Sequence, residues 1–206
     1  ESDGLAIYAV PVAGTTVQAV ASLDMSRQLA DVTLDAAPGT RVRSDAANSV
    51  RAALRAGAAM LASEQVGVAS WCLAGTVGYL RERRQFGRQV GGFQALKHRL
   101  ADLYVGVESG TAVARYAAAA LAADDSDSQV ATAIAASYCG NLAVTAAEEA
   151  LQLHGGIGMT WEHPVHLYLK RAKTDQLAFG HPGEQRRRLA DLVDLPFGST
   201  EAGESQ

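Results

Sequence analysis

Two stretches of this 206-residue sequence combine residue types that could do chemistry. One is Arg83-Arg84-Gln85-Phe86-Gly87, followed a short loop later by Phe93-Gln94. The other is Gln152-Leu153-His154-Gly155-Gly156-Ile157-Gly158-Met159-Thr160-Trp161-Glu162-His163-Pro164. Guanidinium groups make charge-assisted hydrogen bonds to anions, and glycine lets a backbone approach whatever lies against it. Taken singly, these features are ordinary. Arginine clusters such as Arg81, Arg83, Arg84 and Arg88, or Arg186, Arg187 and Arg188, usually mark solvated helix ends. Gly-Gly-x-Gly alone is most often a plain turn.

The elements that must position these stretches are mostly helical. Forty alanines, about a fifth of the chain, pull toward helix because alanine loses no side-chain entropy there. From about Asn48, the residues Val50, Leu54, Ala58, Leu61, Val68, Leu73, Val77 and Leu80 follow helical spacing. Continuous to Arg83, such a helix is roughly 54 Å long. Gly87 and Gly91-Gly92 stop it. A second helix is predicted from about Phe93 to Ala122, closed by Asp124-Asp125-Ser126-Asp127. A third runs from about Gln129 to His154 and ends at Gly155-Gly156. Two shorter helices follow, at about 164–174 and 182–192. Long helices with short connections predict an antiparallel bundle.

The first 43 residues differ. Leu5–Val12, Thr15–Val20 and Leu29–Leu34 read as strands, Pro38-Gly39 breaks the pattern, and Ser44-Asp45 offers a helix cap. Three strands need cover to be stable, so they read as the last strands of a β-domain that begins before residue 1. The division is therefore 1–43 for those strands and 44–206 for the helical bundle.

Composition restricts the function classes. Hydrophobic residues make up 48% and charged residues 19%, enough apolar content for a core. A net charge of −4 leaves no global basic field for nucleic acid. Cys72 and Cys139 lack metal or redox spacing and read as buried free thiols in a reducing compartment. No run of 18 apolar residues suggests a membrane span, and Glu1-Ser2-Asp3-Gly4 is neither a signal nor a transit peptide, so the expected location is cytoplasmic.

Together, in this order and spacing, the two stretches resemble the carboxy-terminal half of the acyl-CoA dehydrogenase family of flavoproteins. The resemblance rests on an Arg-x-x-Phe-Gly at a long helix's end (Arg83 to Gly87), a Gln at a fixed spacing after that Arg (Gln94), and Gln-x-x-Gly-Gly-x-Gly (Gln152 to Gly158). The strand-like start, with Asp24-Met25-Ser26-Arg27 and Leu34-Asp35, is similar to the tail of the family's middle β-domain. The wording Gly-Gly-Ile-Gly-Met-Thr-Trp-Glu-His looks most like the actinobacterial branch. The resemblance implies an FAD whose ADP half is clamped by a neighbouring subunit. Arg83 would pair with the pyrophosphate, Gln94 would hydrogen-bond the dinucleotide, and Phe86 would pack against it. Gln152, His154, Gly155 and Gly156 would line the adenosine, with Gln85 beside Arg83. It also implies an acyl-CoA substrate, electron-transfer flavoprotein as acceptor, and a chain covering only the carboxy-terminal portion of a member nearly twice as long.

The family's reaction needs a carboxylate over the substrate Cα, and such a base typically contributes roughly 10²–10⁴-fold in rate. In most members the Glu follows the motif Gln at a fixed spacing, just before a Gly. That position here is Phe179, followed as expected by Gly180. In a minority the Glu stands on the long helix, at a fixed spacing before the Phe of Phe-Gly. That position here is Gly57. Glu64, Asp175, Glu184 and His181 are the remaining candidates, each displaced from those positions. The expected role is thus the non-catalytic subunit of a heteromeric enzyme, a heterotetramer acting on bulky acyl-CoA such as steroid side-chain thioesters. A homologous partner would carry the Glu. A self-sufficient homo-oligomer with a displaced base and a flavin-free structural subunit are the alternatives.

Overall fold

The computed structural model describes residues 4–195. Five helices carry the fold: α1 (Ala47–Glu82), α2 (Gln94–Ala122), α3 (Ser128–His154), α4 (Val165–Leu177) and α5 (Pro182–Leu192). Helix α1 is unbroken over 36 residues. The predicted helix ends agree to within about one residue for α1, α2, α3 and α5, while α4 runs on past the expected end to Leu177. At the end of α3, Gly155 takes φ 63 and closes the helix.

Helix α3 sits at the centre, against α1, α2, α4 and α5. Its position explains its composition. Mean hydropathy reaches 1.4 over an 18-residue window, enough for a membrane span by length and composition, and 61% of that window is buried inside the fold. A helix packed on most sides keeps its exposed polar residues to a narrow stripe, here Gln129, Asn141, Thr145, Glu148 and Gln152. Small residues let the helices approach closely: a Cβ at Gly110 would lie 2.5 Å from Leu142 Cδ2. Cys72 and Cys139 are free and buried, and burial pushes both thiols up to about 12.

The amino-terminal part holds four short strands: β1 (Ile7–Ala9), β2 (Thr16–Val20), β3 (Leu29–Thr33) and β4 (Thr40–Arg43). They form two separate antiparallel ladders, β1 with β4 and β2 with β3, and every strand residue is exposed. Three details correct the sequence reading. The first strand stops at Ala9, and Val12–Gly14 forms a 3₁₀ turn. The polar stretch Thr40–Arg43 is a fourth strand. The residue capping α1 is Ala46, whose methyl can make no capping bond; its N–H donates to Leu5 C=O and ties the amino-terminal segment to the helix start.

Candidate functional site

The two motif stretches meet at one end of the bundle. Arg83 N–H donates to Tyr79 C=O at 2.9 Å in the last turn of α1, and the Tyr79 ring stacks on His154, the last residue of α3, at 4.6 Å. Between α1 and α2 the chain makes a tight hairpin, β5 (Arg84–Gln85) with β6 (Arg88–Gln89), closed by Val90 N–H donating to Arg83 C=O at 2.8 Å. Gly91 must be glycine, since a Cβ there would lie 2.8 Å from Leu80 O.

The hairpin turn has an unusual residue at its tip. Phe86 adopts φ 55 and Gly87 φ 75. Left-handed backbone is natural for glycine but costs a bulky residue on the order of 1–3 kcal/mol. Phe86 is nonetheless 90% exposed, so the strained turn holds a large apolar ring out of the fold. Arg83, Gln85, Gln94 and Gln152 are exposed as well, and the Arg88 guanidinium lies 4.0 Å over the Phe93 ring. Among the described residues, Arg83, Arg84 and Arg88 make no ion pair. Gly155 and Gly156 have open space where a Cβ would stand. Guanidinium, amide, bare backbone and an exposed aromatic ring form a donor set that fits a dinucleotide.

His154 departs from this group. It is only 4% exposed, and its Nδ1 donates to Ala150 C=O at 2.7 Å. Its ring lies under the turn, away from the surface shared by Gln152, Gly155 and Gly156. The family resemblance implies a cofactor contact at His154; the helical phase of the last α3 turn points its side chain inward instead.

The two positions expected to hold a base come together at the far end. A Cβ on Gly57 would lie 2.7 Å from Phe179 Cε1 and 2.8 Å from its Cζ, so the phenyl ring rests on the bare backbone of α1. Phe179 and Gly180 take φ 53 and 106, a second left-handed Phe-Gly turn. From Gly57 to Arg83 the axis of α1 runs about 39 Å.

The displaced acids and His181 are all engaged. His181 Nδ1 accepts from Gly183 N–H at 3.1 Å, and Glu184 Oε2 accepts from His181 N–H at 2.9 Å, a capping box that starts α5. Glu64 lies between two guanidiniums, Arg27 at 2.5 Å and Arg171 of α4. Arg171 also bonds Asp24 and Ser26, and Arg27 pairs with Asp175 at 2.6 Å. This network, absent from the sequence reading, bolts the β2–β3 connection onto α1 and α4. A cavity of about 530 Å³ opens beside it, lined by Glu64, Val68, Leu167 and Tyr168.

Asp24 and Asp175 are both buried, and Asp175 Oδ2 has no hydrogen-bond partner. Burial first, then Glu64, raise its carboxyl from 3.8 to about 6, against the opposing pull of Arg27 and Arg171. A carboxyl raised on folding holds its proton more tightly in the native chain, so stability falls as pH climbs from about 4 to about 6. Relative to the parent, Asp175→Asn should therefore gain about 2 kcal/mol between pH 4 and pH 7. Urea unfolding at the two pH values checks this; parallel curves would refute it.

Comparison with known proteins agrees with this geometry. The family model "Acyl-CoA dehydrogenase, C-terminal domain" matches residues 47–193, from the first residue of α1 to just past α5. Acyl-CoA dehydrogenase IpdE2 of Mycolicibacterium smegmatis is 42% identical over 174 residues, covering 84% of this chain and 52% of the relative. IpdE2 of Mycobacterium tuberculosis is 48% identical over 137 residues, covering 66% and 41%. Among solved structures, a Tcur3481-Tcur3483 steroid ACAD variant superposes with TM-score 0.82 at 30% identity, covering 92% of this chain and 52% of that one. The ChsE4-ChsE5 complex from Mycobacterium tuberculosis gives 0.83 at 27%, covering 94% and 53%. The chain thus spans about half the length, or less, of the known relatives it matches. With the family model matching residues 47–193 and relatives this similar, the chain belongs to the acyl-CoA dehydrogenase family and carries that family's C-terminal helical domain.

Proposed function

We propose that this chain is the non-catalytic subunit of a heteromeric acyl-CoA dehydrogenase, gripping the ADP half of an FAD whose reactive end lies over a homologous, Glu-bearing partner. The observation that carries this reading is the packing of Phe179 on Gly57. Removing an α-proton requires a carboxylate at the substrate carbon, and a phenyl ring on a glycine supplies none. The distance of about 39 Å between Gly57 and Arg83 along α1 is longer than a dinucleotide extends, which supports the exposed motif end serving a neighbour's cofactor. Residues 1–43 fit the end of the family's β-domain.

Bound flavin would supply the two-electron acceptor for α,β-desaturation. The chain's own part is to hold. Arg83 offers paired donors to the pyrophosphate, Gln94 and Gln152 offer amides, and Phe86 offers a face for packing. Gly155 and Gly156 admit close backbone approach. The names of the steroid ACAD and of the ChsE4-ChsE5 complex support a paired enzyme and a bulky acyl-CoA substrate. Electron-transfer flavoprotein is the acceptor that the family relationship suggests.

The test is purification of the chain with and without a co-expressed homologue carrying Glu at either base position. Flavin and turnover are expected in the mixed complex alone. One FAD per chain with turnover in a pure homo-oligomer overturns the reading. Glu64→Gln separates it from a displaced base. Because Glu64 sits between Arg27 and Arg171, the substitution should lower thermal stability and leave kcat within about twofold. A kcat loss of roughly 10²-fold or more at unchanged stability would make Glu64 the base.

A further inference from the structure

Beneath the turn that presents Gly155 and Gly156, two histidine rings are in contact. His154 is buried, with its ring centre 4.2 Å from that of His163. Their hydrogen bonds define which nitrogens carry protons. His154 Nδ1 faces the Ala150 carbonyl, which can only accept, so this nitrogen carries a hydrogen. His163 Nδ1 accepts from Val165 N–H at 3.3 Å, so this nitrogen is bare. Both bonds are complete with both rings neutral.

Protonating His163 undoes the arrangement in three ways. Its Nδ1 becomes a donor facing the donor Val165 N–H. A cation appears beside the first turn of α4, where the helix dipole disfavours it. The same charge then lies against the His154 ring. Tyr79 from α1 stacks on His154, while His166 and Lys170 from α4 lie against Trp161, and Glu162 is the sequence neighbour of His163. Among the described residues, none makes an ion pair with either ring. Burial, then His154 and His166, hold His163 below the ordinary histidine value.

We infer that His154 and His163 are positioning residues for the cofactor-facing turn, propping Gly155 and Gly156 while both rings are neutral and loosening them when His163 takes up a proton. The inference rests on the reading of this turn as a grip on the neighbour's dinucleotide. The sign follows from His163 binding its proton less tightly in the folded chain. The support is full above about pH 6.5 and is lost as pH falls below it.

The test uses the assembled complex, with two readouts between pH 7.5 and 5.5: amide hydrogen-exchange protection at residues 155–160, and retained flavin. The parent should lose protection and flavin retention together, by a few-fold over this interval. His163→Asn keeps an acceptor near the Nδ1 position without titrating, and should hold both steady. Protection that ignores pH in the parent, or falls equally in His163→Asn, overturns the inference. Protection that responds while flavin retention does not overturns its link to the cofactor. Arg83→Ala at pH 7.5 reports on the grip alone: flavin retained there refutes the grip, while the histidine prop is still judged by turn protection.

Discussion

Arg83→Ala is expected to leave the assembled complex intact and strip most of its flavin. Arg83 ends α1 with an exposed guanidinium that, among the described residues, has no carboxylate partner. Its charge is therefore uncompensated until an anion arrives. Truncating one side of a hydrogen-bonded charge pair costs about 3 kcal/mol, or roughly 100-fold in Kd. Flavin per complex after gel filtration measures the effect. Arg187→Ala, an exposed position on α5 with the same change in charge, is the control. Equal loss in both variants would mean that net charge matters and the position does not. No loss in Arg83→Ala would remove the grip.

Arg171→Ala is expected to cause the largest loss of stability. One guanidinium serves Asp24, Ser26 and Glu64, and its side chain is 25% exposed. Removing it leaves the nearly buried Asp24 and the half-buried Glu64 facing each other with Arg27 as their remaining cation. Breaking a buried pair from one side costs several kcal/mol, and partial exposure reduces this to about 2–4 kcal/mol. For a chain of this size that lowers Tm by about 10 °C. Because Asp24 and Ser26 belong to the β2–β3 connection, proteolysis near residues 22–28 should accelerate in step. A Tm within about 2 °C of the parent would show the network to be worth no more than surface ion pairs.

The helices were readable because apolar spacing and breakers agree along this chain: the run from Val50 to Leu80 has no interruption, and Gly155 has no competing role. The strands were less so. Thr40–Arg43 carries no apolar alternation, and it pairs with β1 from the far end of the strand segment, Arg41 opposite Tyr8 and Thr40 opposite Ala9. The exposed residues Arg83, Gln94 and Gln152, which we propose as cofactor contacts, could be singled out because the motifs of the family resemblance lie within short segments. The ion network could not, since Arg27 meets Glu64 and Asp175, 37 and 148 positions away. Nor could the inward turn of His154, because neighbours in sequence at a helix end face different ways. The packing of Phe179 on Gly57 joins two positions that spacing had picked out independently, and their contact is a structural fact that counting could not supply.

The unbroken course of α1 has a consequence for how this chain can change. Helix α1 runs unbroken from Gly57 to the residue before Arg83, so it acts as a ruler whose length sets where the hairpin stands relative to the Phe179–Gly57 contact. Inserting a single residue between them would advance the hairpin by about 1.5 Å and swing it by about 100° about the helix axis. Either Val68, Cys72 and Leu80 would turn out of the core, or Arg83 and Phe86 would turn from the face we propose for a neighbour's cofactor. Point substitutions along the exposed face of this span should be tolerated, whereas insertions and deletions should not.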